Sequence, residues 1–200
     1  MKQILITALV VLTLFSCDKK SKTETAVAEI PIKITTERFD KLFYETNPQD
    51  LPKLKQQFPY LFPAGNADTV WTNKMKNPLW HELYTEVQQK FPNTSKLQSD
   101  VENLVRHIKY YYPTSKTPKL VTLISEMDYN TKTIYTDSLA LVSLELYLGK
   151  DHKFYQNEFR DYIKQNFEPN QILPDLVSSF GMQKIAFPRD KSLLSLMIYA

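Results

Sequence analysis

The chain has 200 residues with 25 basic and 22 acidic side chains, which gives a formal net charge of +3 at pH 7. No block of lysines or arginines is present, so the composition argues against a nucleic-acid-binding protein. The aromatic content of 12% and the presence of only 3 glycines are typical of one ordered, packed domain and not of a flexible chain.

The first sixteen residues have the pattern of a bacterial export signal. Lys2 is followed by an uncharged apolar run, Ile4 to Phe15. This run is too short for a membrane span, which takes about 20 apolar residues. Ser16 and the chain's single cysteine, Cys17, close it, and this arrangement resembles the lipobox of bacterial lipoproteins. We therefore predict a signal peptide over residues 1–16, cleavage before Cys17, and acylation of Cys17, with palmitate among the acyl chains.

The segment after Cys17 is predicted to be a flexible tether over residues 17–29, because it is polar and lacks large apolar groups. A single cysteine also excludes disulfides within the chain. The alternative interpretation is an ordinary signal peptide followed by a spare thiol. Residues 30–200 are predicted to form a single domain.

The first half of this domain is predicted to be mainly helical. Alternation over residues 30–36 indicates a short strand, and apolar residues at helical spacing follow it. Asn77 and Pro78 are a favoured cap and first residue for one of these helices. The last two helices are expected to form a helical hairpin. The predicted helices cover residues 37–45, 48–58, 79–91 and 97–112, with a rigid aromatic loop at 58–63.

The second half is predicted to contain the sheet. Residues 119–125 and 132–136 are rich in β-formers and indicate a β-hairpin or two neighbouring strands, joined by a turn at 128–131. Asp137 then begins an apolar run over residues 138–148, which we interpret as a buried helix. Further helices are predicted at 155–167, 170–180 and 189–200. The fold class is α+β, mostly helical with a small sheet. Because the chain ends within an apolar periodic run, we expect the domain to continue beyond residue 200.

No recognisable catalytic motif is present. His81 and Glu82 begin like a zinc-protease helix, but Thr85 stands where the second histidine would be required. His107 and His152 are distant in sequence. No glycine frames a serine as in the nucleophile elbow of hydrolases. We therefore predict no catalytic residues, no metal and no cofactor.

Glu145 is a carboxylate in an otherwise apolar segment. It is either a buried acid with a raised pKa, of the kind that enzymes use, or a structural group. We favour the structural role, in which Glu145 pairs with a cation or emerges near Lys150.

Basic residues followed by three tyrosines form a cluster near the end of the helix predicted at 97–112. Such a cluster could meet a partner or lipid headgroups. A solvated helix face with a core-facing tyrosine is the simpler interpretation. The cluster consists of Arg106, His107, Lys109 and Tyr110–Tyr112.

Six segments taken together resemble one known family. In chain order they are ERFD at 37–40 with Leu42-Phe43, FPYLFP at 58–63, HIKYYYP at 107–113, IYTDSL at 134–139, YLGKDHKFY at 147–155 and MIY at 197–199. Behind a lipoprotein signal, this set resembles the gliding-motility lipoprotein family GldB. The segment at 147–155 is the most specific part.

The resemblance implies a lipid-anchored protein of the cell envelope, facing the periplasm, that is needed for gliding and is associated with the type IX secretion machinery. From it we expect a non-enzymatic accessory protein whose partners are the membrane and other motility or secretion proteins. The family is also distantly similar to zincin-type peptidases, which would be a shared fold without the chemistry. The alternative function is an envelope hydrolase or metallopeptidase-like enzyme whose site is completed beyond residue 200, with Glu145 or His152 as its candidate residues in this part of the chain.

Overall fold

The computed structural model describes residues 21–184. The predicted signal peptide, Cys17 and the predicted helix at 189–200 lie outside these residues. Eight α-helices and four strands are present in the described part of the chain. The helices are α1 (Lys22–Ala28), α2 (Phe39–Glu45), α3 (Leu51–Gln57), α4 (Asp68–Lys76), α5 (Pro78–Lys90), α6 (Ser95–Tyr111), α7 (Asp161–Lys164) and α8 (Ile172–Lys184).

The predicted helices at 37–45, 48–58, 79–91, 97–112 and 170–180 are confirmed as α2, α3, α5, α6 and α8. The Asn77 side chain accepts a hydrogen bond from the Leu79 N–H at 2.9 Å, and Pro78 is the first residue of α5, as predicted. Helix α4 was not predicted. Only Met75 is buried in it, so it shows no apolar period along the sequence.

One four-stranded sheet confirms the α+β class. Its strands are β1 (Thr36–Arg38), β2 (Lys119–Leu123), β3 (Thr133–Tyr135) and β4 (Leu139–Ser143), in the order β1-β2-β4-β3. Strands β1, β2 and β4 are parallel, with Thr36 opposite Leu120 and Leu120 opposite Ala140, whereas β3 is antiparallel to β4. The carboxyl ends of β1, β2 and β4 therefore meet at one edge.

The predicted buried helix at 138–148 is wrong. Its first half is the interior strand β4, and its second half is a 3₁₀ turn at Leu144–Leu146. Ala140 and Val142 are fully buried, and the strand shows no polar alternation because it is covered on both faces. An apolar run of this kind cannot be distinguished from a buried helix by periodicity alone.

Because β4 was predicted to be a helix, the predicted pairing of the strands is affected as well. The predicted pairing of residues 119–125 with 132–136 is wrong, because β4 lies between β2 and β3. The turn predicted at 128–131 is present as a 3₁₀ turn, in which the Asp128 side chain accepts from the Asn130 N–H at 3.1 Å.

Two other elements differ from prediction. Only Thr36–Arg38 is a strand at the N-terminus, because side chains of α6, and not a neighbouring strand, bond to the backbone of residues 30–34.

The helix predicted at 155–167 is wrong. It is replaced by a 3₁₀ turn at Lys153–Tyr155 and the four-residue α7, which leave Tyr155, Phe159 and Phe167 free to stack edge to face.

The predicted flexible tether is wrong for residues 22–28, which form α1. Ser21 caps this helix by accepting from the Glu24 N–H at 3.1 Å, and Val27 is buried. A seven-residue helix is unstable in isolation, so the contacts of α1 with α6 stabilise it.

The predicted hairpin of α5 and α6 is also wrong: α5 packs on α2 and α4, and α6 packs on α1 and α8.

An aromatic cluster fills the core beside the carboxyl edge of the sheet. Phe58, in the predicted aromatic loop, is fully buried with its ring 5.1 Å from that of Phe39, and Phe62 lies 4.9 Å from Trp71. Edge-to-face pairs of this kind each add about 0.5–1.5 kcal/mol beyond the area they bury. Within residues 21–184, no helix combines the length and the apolar character that a membrane crossing requires.

Candidate functional site at the carboxyl edge of the parallel strands

Polar side chains follow the end of each parallel strand. Asp40 comes after β1, Ser125 after β2, and Glu145 after β4. Ligands of open parallel sheets bind outside the carboxyl ends of the strands, so this edge is the candidate functional site. Of these three residues, only Glu145 was singled out from the sequence. Asp40 and Ser125 were missed, because nothing in the sequence shows that the ends of β1, β2 and β4 converge.

Asp40 is a fully buried carboxylate whose oxygens are all engaged. Arg38 donates from Nη2 to Oδ2 at 2.6 Å and from Nε to Oδ1 at 2.9 Å. Thr122 of β2 donates its hydroxyl to Oδ1 at 2.6 Å, and Gln88 of α5 donates to Oδ2 at 2.8 Å. The network ties β1, β2 and α5 together and leaves Asp40 no lone pair free for a substrate.

Glu145 is also fully buried, but it pairs with no lysine or arginine among the described residues. Its Oε1 accepts from the Ser125 N–H at 2.6 Å, the Ser125 hydroxyl at 2.9 Å and the Met127 N–H at 3.3 Å. The expected cation partner, or emergence near Lys150, is therefore wrong. Burial raises the pKa of Glu145 above its ordinary value, and the bonds from Ser125 and Met127 oppose that rise.

The loop that holds Glu145 has an unusual backbone. Glu126 and Met127 have φ of +65° and +62°, a left-handed conformation that side chains other than glycine rarely adopt. In this loop the Ser125 and Met127 N–H groups both donate to Oε1 of Glu145 and form an anion-binding nest. The strain of two such residues is maintained because the Glu145 carboxylate occupies the nest.

The second oxygen of Glu145, Oε2, is buried and has no hydrogen-bond partner among residues 21–184. The buried Tyr44 hydroxyl likewise has none within this part of the chain. Burial, and then the nearby charges of Glu145 and Glu126, raise the pKa of Tyr44 well above its ordinary value. Both groups are thus held in their protonated forms over a wider pH range than in water.

A cavity of about 210 Å³ opens beside these groups. Its walls are mainly apolar, and Lys74 and Glu126 form an ion pair of 2.8 Å at its side. Sites for drug-sized molecules usually exceed about 300 Å³. This cavity therefore fits one bulky side chain or a small apolar molecule. Its lining includes Phe39, Phe43, Trp71, Lys74, Ser125 and Glu126.

The geometry does not match a serine hydrolase triad. Ser125 lines the cavity, but its hydroxyl bonds to a carboxylate that two backbone N–H groups already hold. A triad requires a histidine between nucleophile and acid. His81, whose ring lies 5.6 Å from that of Tyr44, donates its Nε2–H to the Met75 carbonyl instead.

The other two histidines bond to groups outside this site. His107 donates from Nδ1 to the Asn103 carbonyl at 2.9 Å, and His152 Nε2 lies 3.5 Å from the Glu86 carboxylate. Within residues 21–184, no three histidine, cysteine or acidic side chains are arranged as metal ligands.

The structure divides the basic–aromatic cluster into two parts. Arg106 donates to the Ile30 carbonyl at 3.2 Å and Lys109 to the Ser115 carbonyl at 2.8 Å, so both hold neighbouring segments. The side chains of the three consecutive tyrosines, Tyr110–Tyr112, are exposed to solvent. The expected core-facing tyrosine is Tyr112, whose ring packs edge to face on the core residue Phe180 at 5.4 Å although none of the three is buried.

Comparison with known proteins gives one match. A family model described as "Gliding motility protein GldB" matches residues 20–200. No curated protein and no solved structure matches the chain.

Proposed function

We propose that this chain, which belongs to the family of the gliding motility protein GldB, is anchored to the cell envelope by lipid on Cys17 and supports gliding through protein contacts without catalysis. The single observation that carries the proposal is the family match, which covers every described residue of the domain. The partners we propose are other proteins of the motility apparatus and of the associated type IX secretion machinery. The proposed orientation is towards the periplasm.

The buried polar groups support a contact role. Asp40 and Glu145 are engaged in holding strands and loops, as structural carboxylates are. The cavity beside them is the size of one side chain and has mainly apolar walls, which suits an anchor residue of a protein partner. A partner segment that inserts one apolar residue there would contact α2, α4 and the loop after β2.

The anchor is tested by colony spreading in a strain that lacks the gene. The wild-type gene is expected to restore spreading, and Cys17→Ala is expected to fail, because a protein without acyl chains leaves the membrane. Thr23→Ala, which changes a nearby residue and keeps the cysteine, serves as the control and should restore spreading. Immunoblots establish equal amounts of each protein. Normal spreading of the deletion strain would overturn the motility role, and full rescue by Cys17→Ala would overturn the anchor.

The alternative of an envelope hydrolase draws on one observation, the contact between the Ser125 hydroxyl and Glu145 at the cavity. Ser125→Ala removes that hydroxyl and keeps both backbone donors to Glu145. We expect Ser125→Ala to fold and to restore spreading fully. Complete loss of spreading by a stable Ser125→Ala protein would instead favour serine chemistry. Thr72→Ala, which removes the hydroxyl of an exposed contact in α4, is the matched control.

A further inference from the structure

The N-terminal segment runs antiparallel to α6, so that the start of the described chain lies at the carboxyl end of that helix. Four contacts establish the direction. They are Thr36 Oγ1 to Gln98 Oε1 at 2.8 Å, Ile34 N to Glu102 Oε1 at 3.0 Å, Arg106 Nε to Ile30 O at 3.2 Å, and His107 Nε2 to Glu24 Oε1 at 3.5 Å.

The same end of α6 carries three exposed tyrosines. Tyr110, Tyr111 and Tyr112 are 39%, 63% and 43% exposed. Residues three and four positions apart share a helix face, so Tyr110 and Tyr111 lie on the face where His107 meets α1, one turn further along. Two exposed lysines accompany them: Lys116 follows Tyr112 by four residues, and Lys22 lies at the start of α1, which packs on α6. We call these five residues the tyrosine surface.

The tyrosine surface is close to the proposed lipid. Cys17 precedes Ser21, the cap of α1, by four residues. An extended chain covers at most about 3.6 Å per residue, so four residues can separate an acylated Cys17 from Ser21 by at most about 14 Å. Because α1 is docked on α6, this limit keeps the carboxyl end of α6 near the acylated residue. A long flexible tether would set no such limit.

We propose that the tyrosine surface lies in the headgroup region of the phospholipid membrane that holds the protein. Tyrosine is enriched at this depth, because its ring is apolar and its hydroxyl is polar. Lys22 and Lys116 then face anionic headgroups. The carboxyl edge of the sheet, with the cavity described above, remains available to a protein partner. This inference rests on the proposed acylation of Cys17.

The test uses the lipidated full chain in vesicles of phosphatidylethanolamine and phosphatidylglycerol that contain a nitroxide-labelled lipid. Cys17 is blocked by its lipid, so a fluorophore is attached at Tyr111→Cys. The control is Ser99→Cys, an exposed position about 18 Å back along α6. We expect at least threefold stronger quenching at position 111 than at position 99.

The outcomes separate this proposal from the anchor. If the protein does not float with vesicles at all, the anchor itself fails. If it floats and the two positions are quenched equally, or position 99 more strongly, the tyrosine surface does not face the membrane. Protection of position 111 by an added protein partner, without quenching by the lipid, would also overturn the proposal.

Discussion

Replacement of Asp40 by alanine is expected to lower the free energy of unfolding by about 3–5 kcal/mol. Asp40 has no exposed surface, and Arg38, whose side chain is only 15% exposed, would be left without its carboxylate. Thr122 and Gln88 would lose their acceptor as well. The measurement is urea unfolding followed by circular dichroism.

Two variants make the Asp40 experiment specific. Asp100→Ala breaks the exposed pair with Lys96 on α6 and should cost less than about 1 kcal/mol. Replacing both members of the buried pair, as in Arg38→Met with Asp40→Leu, should recover part of the loss, because no charge is then left unpaired. A cost below about 1 kcal/mol for Asp40→Ala would mean that the network does not hold β1, β2 and α5 together.

The helical half of the fold could be predicted because its signals are local. Helix α6 buries Val101, Val105 and Ile108 on one face and carries polar residues on the opposite face. Asn77 and Pro78 mark the beginning of α5 in the sequence itself. Both helices were therefore predicted with nearly correct boundaries.

The sheet and the candidate site depend on contacts between distant residues, which local patterns do not contain. Strand β4 is covered on both faces, so residues 139–142 lack the polar alternation of a half-exposed strand. Without β4, the convergence of Asp40, Ser125 and Glu145 could not be derived. The sequence did show that Glu145 was out of place in an apolar run. Its partner, a nest of backbone N–H groups, has no sequence signature.

The pH dependence of unfolding is expected to differ between the wild-type protein and Glu145→Gln. Burial raises the pKa of Glu145 in the folded protein above the ordinary value of 4.5 that it has when unfolded. Between these two values the folded state binds more protons than the unfolded state, so stability falls as pH rises. The contribution of Glu145 is thus complete below about pH 4.5 and is lost as pH rises through the folded pKa. Glutamine does not titrate and keeps an oxygen that can accept the bonds to Oε1.

Unfolding measured from pH 4 to pH 8 tests this expectation. Relative to Glu145→Gln, the wild-type protein should lose stability as pH rises above about 4.5. Glu145→Ala is the second comparison. It leaves two buried N–H donors without an acceptor and should cost about 3 kcal/mol or more, with no titration of its own. A constant difference between wild type and Glu145→Gln would show that the nest, and not burial, sets the charge of Glu145. The strained loop at Glu126 and Met127 would then be built around a permanent carboxylate.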